Sequence, residues 1–172
     1  MTSRAVPFIV LVATIGLWSA VGATARAEED NPAALAAAMK NATATLQGGL
    51  RASEAQGTPI SAKFEIEDGK LQLSVYTTKG DSFTEVVADA NTGAIKEAET
   101  IKEADDLKEA TEQKAAMAKA KVPLLTVAET AVSGNPGFRA VSIVPELKNG
   151  QAMAEVTLLQ GTTFKKVMEK LD

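Results

Sequence analysis

The 172-residue chain contains no cysteine, no histidine, and only one tyrosine and one tryptophan. Without cysteine there is no disulfide framework, no thiol nucleophile and no lipid-modified cysteine anchor, so an exported form must hold together by core packing. Without histidine the commonest general base is missing. The donors that suit zinc or copper are missing with it. Only hard oxygen ligands remain, which restricts metal candidates to ions such as calcium or a lanthanide. Serines at Ser53, Ser61, Ser74, Ser82, Ser133 and Ser142 lie outside any Gly-x-Ser-x-Gly elbow. A chain with these gaps is expected to be non-catalytic and to carry no organic cofactor.

Residues 1–27 read as a secretory signal peptide. Arg4 supplies the basic start, Ala5 to Ala23 is apolar throughout, and Ala25-Arg26-Ala27 is a small-residue cleavage site before Glu28-Glu29-Asp30. The apolar run also approaches the roughly 20 residues of a membrane anchor, but Pro7, Gly16, Gly22 and the cleavage site favour removal. No twin-arginine pair is present, so the general export route is expected, to a bacterial periplasm or to the outside. Cleavage after Ala27 leaves 145 residues with 16 basic and 22 acidic side chains. An acidic chain gains nothing from the counterion release that drives nucleic-acid binding, and an anionic membrane surface repels it. The expected product is a periplasmic or secreted monomer with no nucleic-acid partner and no stable membrane insertion after processing.

Asp30 or Asn31 followed by Pro32 is a helix start, with Leu35, Met39, Ala42 and Leu46 on one face. Gly48-Gly49 is the expected break, and Gly57 to Pro59 the stop. Strand patterns follow. Ile60, Ala62, Phe64 and Ile66 alternate, Asp68-Gly69 is a hairpin turn, and Leu71, Leu73 and Val75 alternate again. After the turn at Lys79 to Ser82, Phe83, Glu85, Val87 and Asp89 fall on one side, Val86 and Ala88 on the other. From Lys96 the composition turns to alanine, glutamate and lysine, as in a solvated helix with Glu103–Lys108 and Glu109–Lys114 pairs near helical range. Thr126 and Glu129 form a capping-box pattern that places a helix from about Val127 to Val132 or Ser133. A strand from Phe138 follows, with Pro145 demoting its end to an edge or bulge. Asn149-Gly150 is a second hairpin turn.

Shifting the chain by 81 positions superimposes Gly69 on Gly150, Val75 on Val156, Gly80 on Gly161, Phe83 on Phe164 and Val86 on Val167. Each half reads as a helix followed by an antiparallel meander whose apolar face needs a cover. The expected fold is therefore α+β. It is a tandem repeat of a helix and a three- to four-stranded antiparallel meander, with the helix packed on one sheet face. The expected units are residues 28–101 and 122–172, joined by a charged connecting helix over 102–121. Phe64, Phe83, Phe138 and Phe164 are assigned to packing rather than to binding.

The stretch Asp89-Ala90-Asn91-Thr92-Gly93 has two readings. Asp89 and Asn91 match the first and third positions of a calcium loop, with Glu97 or Glu99 downstream as further oxygen donors. The fifth position, however, is Gly93 where that loop needs an oxygen ligand. Asn and Gly also tolerate positive φ, which accounts for a turn between strands. Asp89, Asn91 and Glu97 are the candidate ligands of an oxygen-coordinated calcium or lanthanide ion. Glu65, Glu67 and Asp68 form a second acidic group that lines the solvent face of a strand and has the same two readings.

Gly57-x-Pro59-Ile60, Glu67, Asp68-Gly69-x-Leu71 and Val75-Tyr76, followed by Phe83 to Ile95 with its Asp89-Ala90-Asn91-Thr92-Gly93-Ala94-Ile95 ending, resemble the PepSY domain. Residues Pro136 to Gly161 resemble it only in outline: Thr157 stands at the tyrosine position and no Thr-Gly turn follows. The second unit thus looks like a degenerate PepSY-like copy. The resemblance implies an extracytoplasmic, non-catalytic module that binds protein, with a secreted peptidase as the partner class. Its second implication is a periplasmic metal-binding protein, because some relatives bind metal ions. The tandem layout also looks like that of the β-lactamase inhibitor protein, a fold-level analogy.

Overall fold

The computed structural model describes residues 31–172; the signal-peptide expectation for residues 1–27 lies outside them. Helix α1 (Pro32–Met39) starts as expected. The Asn31 Oδ1 accepts the N–H groups of Ala33 and Ala34, both at 3.1 Å, and Pro32 at the first position has no N–H to satisfy.

The break comes earlier than Gly48-Gly49. The chain leaves the helix after Met39 and re-enters it at α2 (Leu46–Ser53), where Thr45 caps by accepting the Gly48 N–H at 3.0 Å. Both glycines therefore lie inside α2. Gly49 is there for proximity: a Cβ at this position would stand 2.4 Å from Leu73 Cδ2, so α2 lies closer to the sheet than a side chain permits. Gly49→Val is expected to cost about 1–3 kcal/mol by overpacking, read as a lower urea midpoint at unchanged slope.

Seven strands form one antiparallel sheet: β1 (Thr58–Glu67), β2 (Lys70–Lys79), β3 (Ser82–Asp89), β4 (Ile95–Thr100), β5 (Arg139–Lys148), β6 (Gln151–Gln160) and β7 (Thr163–Lys170). Their order across the sheet is β4-β3-β2-β1-β5-β6-β7. Strands β5, β6 and β7 begin and end 81 positions after β1, β2 and β3. Left-handed backbone recurs at the same offset, at Asp68 and Asn149 (φ 50° and 52°) and at the glycines that follow each. So does a register shift, between Pro59 and Ser61 in β1 and between Ala140 and Ser142 in β5.

The two meanders join where β1 pairs with β5, through Ala62 opposite Ile143 and Lys63 opposite Ser142. Pro145 lies in β5 opposite Ala154 of β6, past those β1 pairs, so its missing N–H interrupts no bond to β1.

Helices α1, α2 and α4 (Leu124–Ser133) cover one face of the sheet. Leu46, Leu50, Leu73, Val75, Val86, Val127, Ile143, Val156 and Leu158 form one buried cluster that runs through both meanders. The expected helix on one face is therefore incomplete. Helix α3 (Ala104–Met117) packs on the opposite face against β1, β5 and β6, which makes three layers. Most of α3 is solvated, but Ala110 and Ala116 are buried, their short side chains permitting close approach. Beneath α3 lies a second cluster of Ile60, Phe83 and Ala110. The irregularity at Ile60 turns it away from the face of Ala62 and Phe64, where simple alternation had put it. Lys114 reaches the Gly80 carbonyl at 2.6 Å and Asp81 at 3.3 Å rather than pairing with Glu109.

The capping box at Thr126 does not form. Helix α4 starts at Leu124, behind an extended Pro123 (ψ 147°). Thr126 sits in its first turn with its carbonyl accepting the Thr130 hydroxyl at 2.9 Å, and Glu129 forms an ion pair with Arg51 of α2. Among the described residues no helix is long and apolar enough to cross a membrane.

Candidate functional site

The turn after β3 organises itself around Asp89. One carboxylate oxygen accepts the N–H groups of Asn91 (3.0 Å) and Thr92 (2.8 Å) and the Thr92 hydroxyl (3.1 Å), while the other lies 2.7 Å from Lys96 Nζ. The lysine and these donors hold the half-buried carboxyl well below its ordinary range. Gly93, at φ 72°, closes the turn. Asn91 contributes its carbonyl, which accepts the Thr43 hydroxyl and ties the turn to the α1–α2 connection. Glu97 is exposed in β4 opposite Val87. Thus Lys96 already holds the position beside Asp89 that an added cation would take. Among the described residues no three acidic side chains converge as a metal-holding group.

A different group stands on the sheet face that α3 shares. Strand register puts Tyr76 directly between Ser61 and Glu85, and Ser74 between Lys63 and Val87. Glu65, expected to face solvent, is 7% exposed, and the Lys63 ammonium is 2.5 Å from its carboxylate. The same ammonium is 5.9 Å from the centre of the Tyr76 ring. Burial raises the Glu85 carboxyl above its ordinary value; the Ser74 hydroxyl opposes this, and the charges of Glu65 and Glu67 add to it. Burial likewise raises the Tyr76 phenol well above its ordinary range, reinforced by Glu85, Glu65 and Asp106. The Ser61 hydroxyl donates to Gln113 of α3 at 2.7 Å. Between these strands and α3 lies a small cavity of about 130 Å³.

Sequence reasoning named neither Tyr76 nor Glu85 as a site, and read Glu65 only as one of an acidic group on the solvent face of its strand. The signal was the alternation that set Glu85 between Phe83 and Val87, a carboxylate on a face shared with apolar neighbours. Chemically the group is a half-buried surface rich in hydrogen-bond acceptors, suited to amide or basic donors of a partner.

Its pH response follows from the direction of the Glu85 shift. A carboxyl raised in the folded state destabilises that state above the raised value. The penalty disappears as pH falls below the unfolded value of about 4.5. Glu85→Gln is therefore expected to raise Tm at pH 7, and the gain should vanish by about pH 4. Calorimetry at both values checks it; an equal gain at both would assign the effect to something other than ionisation.

No protein-family model and no curated protein matches this chain. A solved structure from Clostridium difficile 630, described as a "putative lipoprotein", is similar at 12% identity, with 70% of this chain and 79% of that chain covered and a TM-score of 0.39.

Proposed function

We propose that this chain is a non-catalytic, extracytoplasmic PepSY-like binding module that regulates or inhibits a secreted peptidase by protein–protein contact. In this reading residues 28–101 and 122–172 are two helix-plus-meander units linked over 102–121. The equal strand limits 81 positions apart support the two-unit description. The observation that carries the binding role is the asymmetry of the sheet. Among the described residues, three helices cover one face, whereas α3 is the helix on the other and leaves Tyr76 and Glu85 partly exposed beside it. Among the described residues β4 and β7 are the edge strands of the sheet, the positions at which a partner strand would add. The calcium or lanthanide reading draws less support, because Lys96 already neutralises Asp89.

The test is a panel of secreted metallopeptidases incubated with the intact chain. Saturable loss of peptidase activity, with the chain recovered whole, is the expected result. Digestion of the chain without inhibition would remove the proposal. Calcium and lanthanum titrations run alongside separate the metal reading, which requires a rise in Tm that Asp89→Ala abolishes.

A further inference from the structure

The two edge strands of the sheet arrange their charges differently. In β4 every side chain is exposed, and Glu97 and Glu99 share a face, opposite Val87 and Glu85 of β3. In β7 the register with β6 runs unbroken, so residues two apart share a face. Lys165, Val167 and Glu169 project to one face, and Phe164, Lys166, Met168 and Lys170 to the other. Lys165, Lys166, Met168 and Lys170 are exposed, and Phe164, Val167 and Glu169 are half-buried. The counterpart of β7 in the first meander, β3, is paired on both sides, with β2 and with β4. Among the described residues β7 pairs with β6 alone, and no strand lies along its outer edge.

We propose that two copies of this chain associate through β7, the strands pairing antiparallel about Val167 so that the two sheets become one. The strand is its own complement. With a two-fold axis normal to the sheet, residues that face each other across the pair share a face. Centred on Val167, Lys165 faces Glu169 on both sides of the axis and Val167 meets Val167. Lys166 then lies against Met168, and Lys170 against the Phe164 ring. Other centres fail. Centred on Lys166 that residue faces itself, centred on Met168 it faces Lys170, and centred on Lys165 or Glu169 like charges meet at the axis. The Lys166 ammonium is already satisfied by Glu155 at 2.7 Å. Lys165 donates to Asn135 Oδ1 at 2.6 Å, and its other hydrogens remain for a carboxylate. Glu169 has no ion pair among the described residues. The ladder ends at Lys170, because Leu171 is buried and bonded to Ala152 and Lys121. The other edge rejects the same pairing: centred on Ala98, Glu97 of β4 would face Glu99 twice. A single ladder buries less than the roughly 1,200 Å² at which stable interfaces begin. The pair is therefore a weak dimer, in place of the monomer expected from the sequence.

Residues 28–172, which contain the whole described fold, are followed by sedimentation equilibrium and by amide NMR shifts as concentration rises. The expected result is a mass that climbs from one chain to two with Kd in the range of about 10 μM to 1 mM. Amide shifts should move with concentration along Phe164 to Lys170 and stay fixed along Ile95 to Thr100. Lys165→Glu and Glu169→Lys are each expected to weaken the dimer about tenfold, because both symmetry-related pairs then become like charges. The double variant Lys165→Glu/Glu169→Lys is expected to return to within about threefold of the original Kd. It lacks the Asn135 bond as Lys165→Glu does, so its recovery assigns the effect to the facing charges rather than to folding. Glu99→Lys on β4 should leave Kd unchanged. A mass that stays at one chain up to about 1 mM would overturn the proposal. So would a mass that grows past two chains, since β4 of one copy on β7 of the next makes an open series. A double variant no tighter than the single ones, or a Kd weakened equally by Glu99→Lys, would also overturn it. The peptidase assay is read separately, because inhibition neither requires nor excludes the pair.

Discussion

Arg139→Met is expected to lose about 3 kcal/mol of stability, because one guanidinium serves three main-chain carbonyls of a distant loop. Its two amino groups donate to Ala42 O at 2.7 Å, Ala44 O at 2.5 Å and Met39 O at 3.5 Å. These carbonyls belong to the end of α1 and to the connection between α1 and α2, nearly a hundred residues away in sequence. The same guanidinium sits 5.6 Å from the centre of the Phe64 ring. Hydrogen bonds from a charged donor contribute about 1.5–3 kcal/mol each, and buried carbonyls left without a partner cost about 1–3 kcal/mol. Arg139 is only half-buried and its contact with Met39 O is long at 3.5 Å, so the two short bonds, each at the lower end of about 1.5 kcal/mol, set the loss. Methionine keeps the apolar stem and isolates the loss of the donors. Tm should fall by about 10 °C. Arg139→Lys should recover part of this, since one ammonium cannot fork to three acceptors. A fall below about 2 °C would show that water replaces the guanidinium without penalty.

Leu158→Ala should cost about 2–5 kcal/mol, the range for truncating a leucine in a packed core. Leu158 in β6 is fully buried in the cluster that also contains Leu73 and Val75 of β2. The stronger expectation concerns cooperativity. Tyr76, the chain's only tyrosine, lies in the first meander and Leu158 in the second. After removal of residues 1–27, which hold the only tryptophan, Tyr76 fluorescence reports the first meander. If one core spans both halves, the Tyr76 transition in Leu158→Ala shifts to lower temperature together with the far-UV circular dichroism. A Tyr76 transition left at its original temperature would show two separately folding units.

Where local chemistry settles the conformation, the sequence was legible. Asn31-Pro32 marks a helix start whose hydrogen bonds are all within three residues. Asp68-Gly69 and Asn149-Gly150 mark turns because few residues accept positive φ. The alternation around Leu71, Leu73 and Val75 assigned β2 to its buried face correctly. Where two local signals competed, it misled. Gly48-Gly49 reads as a break by helix propensity, yet Gly49 is demanded by the approach of Leu73. Thr126 with Glu129 matches a capping box, yet Pro123 starts the helix one turn earlier and Glu129 is engaged by Arg51. The candidate site shows the same division. Asp89 and Asn91 were visible as a pair, but the position of Lys96 against Asp89 was not.

By itself, then, the sequence determined the strands, the hairpin turns, the offset of 81 and the limits on chemistry set by absent cysteine and histidine, all of which depend on residue type and short spacing. Only the tertiary structure decided that the two meanders meet through Ala62 and Ile143 and that α3 crosses the second face. The physical reason is range. A turn or an alternating strand is set by neighbours a few residues apart, whereas strand pairing, the reach of Arg139 and the seat of a helix depend on which distant apolar faces bury one another.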